Sequence, residues 1–239
     1  SVSKFTLSSK QENATGGKSI FIWEDEVISL IDIAHERGTT VKVENLFYNT
    51  PARLNYLKQA RTEYLKVSQC VQNFALSYPE IAFWLEHDGK QALYFPQYQW
   101  FLPRIASILW EEFAKNILEI DYSFSGFRIS WIISNPKISF PGKTKQYIFV
   151  NHRSVVSPLI SKAISDAYNR YIAHGTQPGF VLFIEVDPTQ VDVNVHPRKM
   201  EVRFAGESTL FRAVYHAVED ILKSVSLISS SEVRNDFEI

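Results

Sequence analysis

The stretch Val191-Asp192-Val193-Asn194-Val195-His196-Pro197-Arg198-Lys199-Met200-Glu201-Val202-Arg203-Phe204 holds the most suggestive chemistry in the sequence. Valines at every second position define a half-buried strand. Pro197 ends its ladder, and the pair Arg198-Lys199 is presented on a tight loop before another strand begins. A lysine held at both sides in this way has a defined position, and its ammonium can meet an anion such as a phosphate as a point charge. On the residues alone, a solvated basic turn is the readier reading.

The other candidates for chemistry are weaker. His196 has no second His, Cys or carboxylate at metal-ligand spacing. The six histidines, at 35, 87, 152, 174, 196 and 216, are scattered, and none accompanies a nucleophile signature. Glu24, Asp25 and Glu26 cluster as a solvated turn between strands would. The single cysteine, Cys70, permits neither an intrachain disulfide nor a cysteine-rich zinc site. It lies in a helical pattern, where a lone thiol is expected to pack as a small inert hydrophobe. This usage fits a reducing, intracellular compartment.

Composition sets the frame. The 239 residues are 45% hydrophobic and 14% aromatic, enough for one large core or two smaller ones. A net charge of −1 gives no overall attraction to nucleic acid, so any DNA contact must come from a local patch. No apolar run approaches the roughly 20 residues that span a bilayer. The opening Ser1-Val2-Ser3-Lys4-Phe5 has no signal core and reads as a chain cut within a longer protein.

The elements that position these residues follow from periodicity. Strands are expected over Val2–Leu7, Ser19–Trp23, Val27–Ile33 and Thr40–Leu46. Thr50 is placed to cap a helix that has Pro51 at its first position. A second helix, Thr62–Leu76, carries Tyr64, Val67, Val71, Phe74 and Ala75 on one face and stops at Ser77-Tyr78-Pro79. A hairpin, Ile81–Glu86 with Gln91–Phe95, turns at His87-Asp88-Gly89-Lys90. A helical stretch over Pro103–Phe113 and strands Ile117–Phe124, Phe127–Ile133 and Gln146–Asn151 follow. A helix then carries Leu159, Ile160, Ala163, Ile164, Ala167, Tyr168 and Tyr171. Strands at Gly179–Val186, Val191–Val195 and Glu201–Phe204 precede a last helix from Ser208 to about Lys223. The sum is an α+β protein.

Three stretches taken together resemble the MutL family of the GHKL ATPases: Gly38-Thr39-Thr40-Val41-Lys42-Val43 with Leu46-Phe47-Tyr48-Asn49-Thr50-Pro51-Ala52-Arg53, then Tyr147-Ile148-Phe149-Val150-Asn151-His152-Arg153, then Val191 to Phe204. The resemblance runs in order from Ser1 to about Lys223. It implies the C-terminal part of a GHKL ATPase sandwich at 1–78, a ribosomal-protein-like α+β transducer domain at 79–225, and the start of a linker at 226–239. It also implies a DNA mismatch-repair protein: an ATP-dependent matchmaker coupling mismatch recognition to strand processing.

The resemblance assigns roles to particular residues. Gly38 and Thr39 match the family's fourth ATP motif, whose threonine lies under the adenine. Lys199 matches the lysine that reaches the γ-phosphate and stabilises charge in the transition state, with Asn194 and Pro197 holding its loop. Arg53 belongs to a domain interface or to a packed loop. Lys143, Lys145, Arg153, Lys162 and Arg170 are the candidates for phosphate contact with DNA. Weak electrostatic DNA binding, a mismatch-recognition partner of MutS type and an ATP-dependent dimer are implied, in a cytoplasmic, nucleoid-associated bacterial protein. ATP and Mg²⁺ belong to the intact protein. The family's first three ATP motifs, with its general base and metal ligand, have no counterpart among these residues, so this stretch alone is expected to bind little nucleotide and to hydrolyse none.

Two departures stand out. His152 occupies a position where many relatives have glycine, and Ser154–Pro158 lacks the basic residues often found there. A nucleotide-free DNA- or partner-binding module and a topoisomerase-type ATPase subunit remain as alternatives, the second disfavoured by the wording of Val191–Lys199.

Overall fold

The computed structural model describes residues 2–24, 26–98, 100–192 and 202–235. They divide into two compact units, Ser1–Val67 and Ser68–Ile239. The division falls inside a helix, earlier than the Ser77-Tyr78-Pro79 stop at which the sequence suggests a boundary.

The first unit is built on four antiparallel strands: β1 (Lys4–Lys10), β2 (Gly17–Trp23), β3 (Glu26–Ile33) and β4 (Gly38–Glu44), in the order β3-β2-β1-β4. The register sets Phe5 against Ile22 and Val43, and Leu7 against Ile20 and Val41. Period-two alternation therefore collects the apolar residues on one face. Much of that face is open among the described residues, with Leu30 63% and Val41 55% exposed.

Helix α1 (Pro51–Tyr56) begins at the expected proline, but Thr50 does not cap it. Its Oγ1 is buried without a hydrogen-bond partner among the described residues. Helix α2 (Ala60–Ser77) buries Ser68, Ala75, Leu76 and Ser77. Val67 and Phe74, expected on its buried face, are about half exposed, and Cys70 is exposed rather than packed. The α2 periodicity was too shallow to fix which stripe meets the core.

The second unit opens with the hairpin β5 (Phe83–His87) and β6 (Lys90–Phe95). The expected single helix is two: α3 (Phe101–Leu109) and α4 (Glu111–Lys115), broken at Trp110, whose φ is +73°. Strands β7 (Ile117–Phe124), β8 (Phe127–Ser134), β9 (Gln146–Val150), β10 (Arg153–Val155) and β11 (Phe180–Val186) form one sheet in the order β10-β9-β11-β8-β7. β9 and β11 are parallel, and β10 and helix α5 (Pro158–Tyr168) lie between them in the chain. Ser157 caps α5 by accepting from the Ile160 amide.

Strand β11 alternates cleanly and organises both cores. Phe180, Leu182, Ile184 and Val186 face α5 and α6 (Glu207–Asn235). Val181 and Phe183 face the other way, toward α3, α4 and the end of α2. Helix α6 continues to Asn235 rather than stopping near Lys223, so the expected linker begins as helix.

Candidate functional site

Gly38 and Thr39 open β4, at the edge of the first sheet. Gly38 has φ +129°, a conformation that a side chain would strain. Antiparallel pairing of β1 with β4 sets Ser9 opposite Thr39. Their hydroxyl oxygens are 2.9 Å apart, and Ser9 Oγ also donates to the Gly38 carbonyl at 3.3 Å. Beside them, His35 Nε2 lies 3.0 Å from Thr40 Oγ1. Thr39 is exposed, and a hydroxyl bonded once keeps capacity for a second partner. Sequence reasoning missed Ser9 because its role depends on register across two strands, not on local spacing.

Lys199, together with Asn194, His196, Pro197 and Arg198, lies outside the described residues. The segment's two ends are described. β12 (Val191–Asp192) and β13 (Arg203–Phe204) pair antiparallel, Val191 with Phe204 and Asp192 with Arg203. Phe204 is buried and meets the Phe127 ring edge-on at 6.4 Å, while Val191 and Val202 pack against the same core. The described residues on either side of the basic segment are thus tied to the second unit's interior.

Arg53 is exposed in the last turn of α1. The five DNA candidates are distributed rather than gathered. Lys143 and Lys145 form a short 3-10 turn before β9. Lys145 Nζ sits 4.1 Å over the Trp110 ring, and burial lowers its pKa below the ordinary lysine value. Arg153 pairs with Val150, at the far end of β9. Lys162 is engaged by Asp166 at 2.8 Å on α5, and Arg170 follows that helix, with the sheet between α5 and α4. Among the described residues, no three His, Cys, Asp or Glu side chains converge as a metal site.

Known proteins were compared with this chain. Residues 105–223 match the family described as "DNA mismatch repair protein, C-terminal domain". The DNA mismatch repair protein MutL of Xanthomonas oryzae pv. oryzae (strain PXO99A) is 37% identical over 223 residues, covering 93% of this chain and 36% of that protein. A crystal structure of the N-terminal domain of a DNA repair protein superposes with a TM-score of 0.77 at 20% identity, covering 95% of this chain and 73% of that one. The Aquifex aeolicus MutL ATPase domain complexed with ADP gives a TM-score of 0.62 at 24% identity, covering 78% of this chain and 69% of that one.

The fold is α+β and is that of the solved MutL ATPase domains. The chain belongs to the MutL family of DNA mismatch-repair proteins. It spans 36% of the length of the curated relatives it matches.

Proposed function

We propose that the chain acts within a longer MutL-type protein as the part that joins the back of an ATPase domain to the domain sensing its nucleotide. The observation that carries this reading is the segment Val191–Phe204, whose sequence sets Arg198-Lys199 between two described strands, β12 and β13, that lie against a buried core. The ADP found in the Aquifex aeolicus relative supports a nucleotide as the ligand.

Of the residues present, Thr39 offers an exposed hydroxyl steadied by Ser9, and Lys199 offers a cation, which fits part of an ATP site. Bound ATP with Mg²⁺ would supply the γ-phosphate whose arrival and loss throw the switch. Lys199 would meet that phosphate as a point charge. The exposed apolar face carrying Leu30 and Val41 is consistent with a sandwich completed by further chain. The intact protein closes as an ATP-dependent dimer and links a mismatch-recognition protein of MutS type to strand processing on DNA, in the bacterial cytoplasm near the nucleoid. Phosphate contacts fall to Lys143, Lys145, Arg153, Lys162 and Arg170.

Complementation tests the reading. The intact gene should restore a low spontaneous mutation rate to a bacterial strain lacking its own matchmaker. A well-expressed protein that leaves the mutator rate unchanged would overturn it.

A further inference from the structure

Trp110 separates α3 from α4 in a backbone conformation, φ +73° and ψ +158°, that belongs almost wholly to glycine. A residue with a side chain is strained there, and glycine is not. The indole is nevertheless present, and it is not spent on the core, since Trp110 is 44% exposed. Its ring meets Phe140 edge-on with centroids 5.6 Å apart, and the Lys145 ammonium stands over it, 4.1 Å from the ring centre.

The surroundings suit a polyanion. The segment 135–145, between β8 and β9, holds Lys137, Lys143 and Lys145 and no acidic residue. Lys137 and Lys143 are exposed. The acids closest to Trp110 in the chain, Glu111 and Glu112, open α4, where Lys115 engages Glu111 at 2.8 Å. All of these residues lie within the second unit.

We propose that Trp110, Lys145 and Lys143 form a platform for single-stranded DNA. A base stacks on the indole face that the Lys145 ammonium covers, and the ammonium moves to the adjoining phosphate. This exchange gives up one cation–π contact for a base stack and a charge-assisted phosphate contact. In a duplex the base faces are already stacked on one another, so the indole selects unpaired strand. The inference rests on the reading that this chain contacts DNA, and it adds the form of DNA and the ring that selects it.

Fluorescence anisotropy of a labelled thymine oligonucleotide, single-stranded or paired with its complement, tests it on the 239-residue chain at low salt. Trp110→Gly removes the ring and suits the backbone. It should weaken single-strand binding about five- to hundredfold, the usual loss for one base stack, and so reduce the preference for single strand over duplex. Trp110→Leu keeps apolar bulk beside Phe140 without an aromatic face and should show the same loss, whereas Trp110→Phe should recover most of it. Lys145→Gln should make the log–log salt slope on single strand shallower by about 0.7, the amount expected from one phosphate contact. Unchanged single-strand affinity in Trp110→Gly and Trp110→Leu, or an equal loss on both forms of DNA, would overturn the platform alone. A parent chain that binds neither form would overturn the underlying DNA reading as well.

Discussion

Tyr168 and Arg104 carry polar groups into the second unit's interior, where each group needs a partner. Tyr168 is fully buried and donates its hydroxyl hydrogen bond to the Ser134 carbonyl at 2.5 Å. Burial raises its pKa far above the ordinary tyrosine value. The neutral phenol therefore contributes stability that is complete below the ordinary value, about 10, and is lost as pH rises through the raised folded value. Tyr168→Phe should cost about 1 kcal/mol at neutral pH through the lost hydrogen bond. Its urea midpoint should fall less than the parent's on going to strongly alkaline pH; equal falls would show that Tyr168 does not limit alkaline stability. Arg104 solves the same problem only in part, since its Nε and Nη1 are buried with no hydrogen-bond partner among the described residues. Its Nη2 reaches the carbonyls of Pro79, Ile81 and Pro96 at 2.8–2.9 Å, tying together the approach to β5 and the exit from β6. Neither partner set was legible in the sequence, because both join positions far apart in the chain.

At the scale of elements, close approach matters as much as hydrogen bonding. Gly179, just before β11, donates to Ser134 Oγ at 3.2 Å and accepts from the Ser134 amide at 2.8 Å. A Cβ there would lie 2.6 Å from a carbon of the Phe113 ring and 2.7 Å from one of Phe140. Both rings are buried, so Gly179→Ala should destabilise the chain by about 1–3 kcal/mol, read as a lower urea midpoint; an unchanged midpoint would mean that the rings have room to move. The elements themselves were largely readable, because strong period-two and period-3.6 patterns marked β11, α5 and the first part of α6. The break at Trp110 was hidden because good helix formers flank it, Leu109 before and Glu111-Glu112 after, and β10 by its length of three residues. The buried stripe of α2 was legible in part: Val71 and Ala75 pack in the core, while Val67 and Phe74 are about half exposed, because apolar residues lie around more than one side of the helix. Of the candidate site, Gly38, Thr39 and Lys199 rest on the wording of their motifs, whereas Ser9 emerges only from strand pairing.

At the scale of the whole molecule, a net charge of −1 gives no overall attraction to nucleic acid, and the five candidate basic side chains are spread over both faces of the second sheet. Any DNA contact from Lys143, Lys145, Arg153, Lys162 or Arg170 would be made in small groups and be sensitive to salt. The proposed nucleotide switch needs a contact to phosphate that can be made and lost. Lys199 is the residue on which that account turns. In the intact protein, Lys199→Ala should fold normally, since a lysine side chain rarely contributes to a core. It should lower steady-state ATP turnover about ten- to a thousandfold, the usual loss for one well-placed charge-stabilising contact. Arg198→Ala should remain close to the parent. ATP turnover at the parent rate in Lys199→Ala would contradict the account and leave Lys199 a solvated turn residue.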